Sequence, residues 1–134
     1  MHSITLVFFL SYISSMPRGE RFFICGINLN QRIDAIRQFS GISHRDTFYL
    51  NSQDKFRYYS NEGVIIANYD EFLANGKEYL FEEWFEIGVD RTTDITKCIL
   101  ILYSKDMPST RTATFLDDYN FNVFKLKKQV IEIL

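Results

Sequence analysis

Four residues, His44, Arg45, Asp46 and Asn51, have the types and spacing that phosphoryl transfer requires. An aspartate in this arrangement accepts the proton of an attacking hydroxyl group, and an asparagine five residues later binds a magnesium ion. No other stretch of the chain competes with this one as a catalytic motif. The first question is therefore whether the rest of the sequence supplies the partners that this chemistry needs.

The eight residues from His44 to Asn51 resemble the catalytic loop of protein kinases, a likeness that implies nucleotide-dependent phosphoryl transfer. That reaction also needs a glycine-rich loop over the phosphates, a strand lysine paired with a helix glutamate, and a metal-binding Asp-Phe-Gly sequence. The sequence contains none of the three, and the 43 residues before His44 are too few for a nucleotide-binding lobe. We therefore interpret the segment as a connection between a helix that ends at Gly41 and a following strand.

Metal and cysteine chemistry have little support in the sequence. His2 and His44 are the only histidines, Cys25 and Cys98 are the only cysteines, and no pair has the short spacing of a structural zinc site. We predict no metal and no cofactor. Both cysteines fall in apolar runs that predict buried strands, where a disulfide would require neighbouring strands and an exported protein.

An acidic helix is the strongest candidate for a binding surface. From Asp70 to Asp90 there are seven acidic residues and one basic residue, which leaves a net charge of −6. The segment 77–87 has the apolar periodicity of an amphipathic helix that ends before Gly88. We predict a small non-enzymatic protein-binding module that docks an acidic and aromatic surface onto a basic partner protein. The predicted partner-binding residues are Glu82, Glu83, Trp84 and Glu86.

In an alternative interpretation of this helix, Trp84 belongs to the hydrophobic core and not to a binding surface. Inhibitors and accessory proteins encoded by phages and mobile elements are small binding modules of this kind. The abundance of Ile, Asn, Lys, Phe and Tyr is typical of the low-GC coding sequences common in phages.

Two other functions remain as alternatives. Lys55, Arg57 and Tyr59 would share one face of a strand, and such a face can stack single-stranded bases and contact phosphate. The formal net charge of −2 gives no general attraction to nucleic acid, so this is the second hypothesis. The third is an enzyme whose site is not visible in the sequence.

The first fifteen residues allow three interpretations. The apolar run from Ile4 to Ile13 could form a buried strand, a weak signal-like segment or an extension before a second start at Met16. We favour the strand, because the residues before the run lack the positive charge of a signal peptide. The run is too short to span a bilayer, so we predict no transmembrane segment. The expected location is cytoplasmic, or secreted if the segment is a signal peptide.

The elements that position these residues follow from local patterns. Apolar runs predict strands at 21–27, 63–68 and 97–104, and two short strands at 47–50 and 55–60 predict a hairpin. Helices are predicted at 29–39, from Asp70 to Gly76, and at 77–87, whereas 104–113 is predicted to be a polar loop. Residues 122–134 are predicted to form a strand. Together these elements predict one α+β domain over 1–134, with a mostly antiparallel sheet and two or three helices on one face.

Overall fold

Seven strands and three helices make up the part of the chain that the computed structural model describes, namely residues 3–5, 20–26, 47–50, 64–90, 99–127 and 130–133. The strands are β1 (Ser3–Thr5), β2 (Arg21–Cys25), β3 (Thr47–Leu50), β4 (Val64–Asn68), β5 (Ile99–Ser104), β6 (Asn122–Lys127) and β7 (Val130–Ile133). The helices are α1 (Tyr69–Ala74), α2 (Glu78–Asp90) and α3 (Thr110–Asp118).

The strands form one sheet in the order β1-β7-β6-β2-β5-β4-β3. The four pairings from β6 to β3 are all parallel, and the pairings of β7 with β6 and with β1 are antiparallel. The predicted mostly antiparallel α+β sheet is therefore wrong, and the fold is α/β. The physical reason is that helices α1 and α2 lie between β4 and β5 and α3 lies between β5 and β6, so these three strands can run in the same direction.

Burial on both faces of the central strands agrees with the parallel arrangement. Phe23, Leu100 and Leu102 belong to the same buried cluster as the three helices. Phe22 and Ile101, whose side chains point to the opposite face, are buried as well. A parallel sheet is normally covered on both faces, and this explains why its strands are near-continuous apolar runs.

Aromatic rings fill the space between the sheet and the helices. Phe81 of α2 lies 5.3 Å from Phe72 and 5.6 Å from Trp84, measured between ring centroids. Phe85, one turn further along α2, lies 5.6 Å from Phe115 of α3. These contacts fix α2 against both neighbouring helices and therefore decide which side of α2 faces solvent.

Both shorter helices end in the same hydrogen-bonded turn. After α1, the amide of Lys77 donates to the carbonyl of Phe72 and that of Gly76 donates to Leu73, with Gly76 at a φ of 63°. This Schellman turn needs a left-handed residue, which glycine provides without strain. It directs the chain from α1 into α2, and the predicted helix end at Gly76 is confirmed.

Two local predictions are wrong. Helix α2 continues through Gly88 to Asp90, because a glycine inside a helix costs only about 1 kcal/mol and does not by itself end it. The predicted polar loop contains the start of α3, where the Ser109 side chain accepts a hydrogen bond from the Thr112 amide and caps the helix. The strands predicted at 21–27, 47–50, 63–68 and 97–104 are confirmed as β2, β3, β4 and β5.

The remaining predictions on elements are confirmed only in part or cannot be compared. Residues 122–134 contain two antiparallel strands, β6 and β7, where one was predicted. β3, which was predicted to form a hairpin with a strand at 55–60, pairs in parallel with β4. The helix predicted at 29–39 and the strand predicted at 55–60 lie outside the described residues.

Candidate functional site

Helix α2 separates its side chains into a buried and an exposed face. Phe81, Trp84 and Phe85 are buried against the sheet and the other helices. On the opposite face, the described exposed residues are Tyr79, Leu80, Glu83 and Glu86, here called the α2 outer face. All four are exposed, Tyr79 to 62 % and Leu80 to 49 %, so two carboxylates lie beside an aromatic and an aliphatic side chain.

Arg111 of α3 contacts the border of this face through two side chains of α2. Its Nη2 atom lies 2.6 Å from Oε2 of Glu82, and its guanidinium carbon lies 3.8 Å from the centroid of the Tyr79 ring. The arginine thus forms an ion pair and a cation–π contact at once. Since both partners lie on α2, Arg111 orients the Tyr79 ring as well as neutralising Glu82.

Glu82 is the half-buried member of the predicted acidic surface. Burial raises the pKa of Glu82, and the nearby carboxylates of Glu86 and Glu78 raise it further, while Arg111 opposes the shift. Its Oε1 atom accepts a hydrogen bond of 3.5 Å from the hydroxyl of Tyr69. Burial, together with the charge of Glu82, raises the pKa of that hydroxyl to about 12. Glu82 therefore belongs to an internal network and has little capacity left for a partner.

Glu83 and Glu86 differ from Glu82 in their surroundings. Both side chains are exposed, and no lysine or arginine of the described residues forms an ion pair with either. Glu78 is half-buried, and its Oε2 atom has no hydrogen-bond partner within the part of the chain that the structure describes. Within the described part of the chain, Arg111 therefore compensates only part of the negative charge on this side of α2.

The predicted partner-binding residues thus have three different positions. Glu83 and Glu86 lie together on the α2 outer face, and Glu82 lies at its border in the pair with Arg111. Trp84 is only 5 % exposed and packs in the core, so the aromatic side chain next to the exposed glutamates is Tyr79. The residues of the nucleic-acid hypothesis, Lys55, Arg57 and Tyr59, lie outside the described residues, as do His44, Arg45, Asp46 and Asn51.

Sequence reasoning missed Tyr79 and Arg111. Tyr79 could have been found, because the helical period that places Phe81 and Phe85 inside also places residue 79 outside. Arg111 could not have been found from the sequence, because its contact with Tyr79 joins two helices that are far apart in the chain. It also comes from a segment that the sequence predicted to be a loop.

A second group of polar side chains lies where the parallel strands end. In open α/β sheets, ligands bind at the carboxyl ends of the strands. Here Oδ1 of Asp70 accepts a hydrogen bond of 2.6 Å from the Ser104 hydroxyl, and Oδ2 accepts one of 3.0 Å from the Lys105 amide. The Ser104 oxygen also accepts a hydrogen bond from the Asp106 amide. These bonds tie the start of α1 to the loop after β5.

Cys25 ends β2 at the same edge of the sheet, level with Ser104. Its thiol is fully buried and lies 3.3 Å from the sulfur of Met107 and 3.4 Å from the carbonyl oxygen of Phe124. Burial raises the pKa of the Cys25 thiol, although the charge of Lys125 acts in the opposite direction. A protonated, buried thiol is a poor nucleophile, so Cys25 acts here as a packed side chain.

The chain has no significant match among protein-family models, curated proteins or solved structures. Within the described ranges, no helix combines the length and the apolar character needed to cross a membrane. The same ranges contain no group of three or more His, Cys, Asp or Glu side chains placed to hold a metal ion. The geometry of the side chains themselves is thus the basis for a functional proposal.

Proposed function

We propose that this chain is a small non-enzymatic protein-binding module that docks the α2 outer face onto a basic surface of a partner protein. The single observation that carries the proposal is the exposure of Glu83 and Glu86 beside the exposed ring of Tyr79. Carboxylates that form no ion pair with the described residues are available to a partner of opposite charge. Such complementarity contributes mainly to the association rate and to specificity.

The apolar part of the surface supports docking as well. Tyr79 and Leu80 are among the most exposed large hydrophobic side chains of the described residues. Aromatic side chains are enriched at protein interfaces and often supply a large part of the binding energy. Tyr79 is also held in place by Arg111, which reduces the entropy lost when a partner binds.

The polar groups at the carboxyl edge of the sheet give less support to a catalytic alternative. Both carboxylate oxygens of Asp70 and the hydroxyl of Ser104 already form hydrogen bonds within the chain. Those bonds hold a loop in place. The carboxylates of the α2 outer face form no comparable bonds with described residues.

The proposal is tested by reversing the exposed charges. The chain and its Glu83→Lys/Glu86→Lys variant are immobilised, and proteins captured from the native host are quantified by mass spectrometry. A matched control is Asp117→Lys/Asp118→Lys, which changes the net charge by the same amount at two exposed positions of α3. We expect the first variant to lose a protein that the wild-type chain and the control both capture.

A thermal unfolding curve for each variant separates binding from folding. Because Glu83 and Glu86 are exposed, we expect both variants to unfold within a few degrees of the wild-type chain, corresponding to a change of about 0.5 kcal/mol or less. Equal capture by the wild-type chain and the Glu83→Lys/Glu86→Lys variant would contradict the proposal.

A further inference from the structure

The Tyr79 ring has two faces, and the structure shows what one of them binds. The guanidinium carbon of Arg111 lies 3.8 Å from the ring centroid, while the same side chain pairs with Glu82 at 2.6 Å. A tyrosine and the glutamate three residues later thus hold an arginine between them. Even with Arg111 in place, the Tyr79 side chain is 62 % exposed, so much of the ring remains available.

Helix geometry places a similar pair on the other side of the ring. Residues three and four positions after a given residue are its neighbours on the helix surface, and they lie to either side of it. Glu82 and Glu83 hold these two positions relative to Tyr79. The second side therefore offers the same two side-chain types, an aromatic ring and a carboxylate. No arginine or lysine of the described residues occupies it.

We propose that the α2 outer face recognises an arginine side chain of the partner protein, which stacks on the open side of Tyr79 and pairs with Glu83. This inference rests on the proposed function and names the chemistry of its partner. Glu86, which follows Glu83 on the same exposed face, adds a second carboxylate within reach of a neighbouring cation.

Arginine fits this arrangement better than lysine for two reasons. Its planar guanidinium stacks on an aromatic ring, and its fork of N–H groups can form two parallel hydrogen bonds with one carboxylate. The lysine ammonium is compact, strongly hydrated and unable to form either contact in the same way. An internal arginine in the equivalent position shows that α2 accommodates the guanidinium at contact distance.

Two short synthetic peptides test the inference on the full chain. One carries arginines spaced by glycine and serine, and the other carries lysines at the same positions, so the peptides have equal charge. Binding is measured by fluorescence anisotropy at low salt. For one stacked guanidinium at an exposed site, we expect the arginine peptide to bind on the order of threefold more tightly than the lysine peptide.

Three variants assign that preference to the proposed residues. Tyr79→Leu removes the ring and should abolish the preference for arginine, whereas Tyr79→Phe keeps the ring and should retain it. Glu83→Gln should weaken binding of both peptides, and the control Asp118→Asn, at an exposed position of α3, should weaken neither. Equal binding of the two peptides, absence of binding, or a preference that survives in Tyr79→Leu would overturn the inference.

Failure of this test can be distinguished from failure of the test of the proposed function. If Glu83→Lys/Glu86→Lys loses the host partner but the peptides bind equally, the docking proposal stands and the arginine preference is wrong. If the peptides show the expected preference but capture of host proteins is unchanged, the arginine site stands and the docking proposal is wrong.

Discussion

Glu82 shows, at the scale of a single residue, how the acidic surface is divided between internal and external roles. The sequence presents it as equivalent to Glu83 and Glu86, with the same charge on the same helix. In the fold it contacts Arg111 and the hydroxyl of Tyr69, while the other two carboxylates face solvent. A contact between helices that are distant in sequence therefore selects which of three similar residues remains available for binding.

The raised pKa of Glu82 makes a prediction about stability. Because burial raises the pKa above the ordinary value of 4.5, the folded chain holds this proton at a pH where the unfolded chain has released it. Folding stability contributed by this group should therefore fall as pH rises through the folded-state pKa. We expect the free energy of unfolding of the wild-type chain to decrease, relative to Glu82→Gln, as the pH rises above the ordinary value of 4.5.

Urea unfolding at several pH values measures this difference, with Glu83→Gln as the exposed control for the change in charge. If the free energy of unfolding of the wild-type chain, relative to that of Glu82→Gln, stays constant or increases with pH, Arg111 outweighs the effect of burial. In that case Glu82 would be a stabilising ionised partner.

At the scale of elements, helix α3 is the part that sequence patterns missed, and its start depends on one side chain. The hydroxyl oxygen of Ser109 accepts a hydrogen bond of 3.2 Å from the Thr112 amide, which would otherwise lack a partner in the helix. We expect Ser109→Ala to lower the free energy of unfolding by about 1 kcal/mol and Ser109→Asp to leave it nearly unchanged. Chemical denaturation measures both variants, and equal stability of all three chains would contradict the capping role.

The docking of α3 depends on Phe115. Its ring lies 5.6 Å from Phe85 and 5.8 Å from Phe121 between centroids, and its side chain is buried. Removing a buried aromatic ring leaves a cavity, so we expect Phe115→Ala to cost about 3–5 kcal/mol. The exposed control Asp117→Ala should change stability by about 0.5 kcal/mol or less.

Loss of α3 packing would also alter the binding surface, because Arg111, which contacts Tyr79 and Glu82, lies on the same helix. We therefore expect Phe115→Ala to weaken binding of the arginine peptide at temperatures where α3 has separated from α2, because Arg111 then no longer orients the Tyr79 ring. A Phe115→Ala chain that unfolds like the wild type would show that α3 is not held by this cluster.

The elements predicted correctly from the sequence share a local cause. Apolar runs identify β2, β4 and β5, and Gly76 marks the end of α1. The 3.6-residue period gives both faces of α2, including the exposure of Glu83. The start of α3 was missed, although Ser109 precedes a segment in which Thr112, Phe115 and Leu116 are spaced for one buried face.

The direction of the strands could not be obtained in the same way. A run such as Ile99–Ser104 is equally apolar in a buried parallel or a buried antiparallel strand. Its direction depends on the connections, and missing α3 removed the helix between β5 and β6. The Tyr79–Arg111 contact was hidden for the same reason, because it exists only once α3 packs beside α2.

At the scale of the whole molecule, the sheet has a parallel part and an antiparallel edge that should differ in stability. β5 lies between β2 and β4, and β2 lies between β5 and β6, so both central strands pair on two sides. Their side chains are buried on both faces of the sheet. In contrast, β1 contains three residues and pairs with β7 alone among the described strands.

Backbone amides exchange with solvent only when their hydrogen bonds open, and the central strands can open only if pairing is lost on both sides and the aromatic core separates. We therefore expect hydrogen exchange to be slowest in β2 and β5, at the rate of global unfolding, and faster in β1 by about tenfold or more. Exchange measured residue by residue by NMR, or by peptide in a mass spectrometer, gives this order.

If the β6–β7 pair were instead the most protected part, the antiparallel edge would be the stable unit, and the parallel strands would pack onto it later in folding. The Phe115→Ala variant distinguishes the two cases, because loss of the α3 contact should accelerate exchange in β5 only if the helices and the parallel strands unfold together.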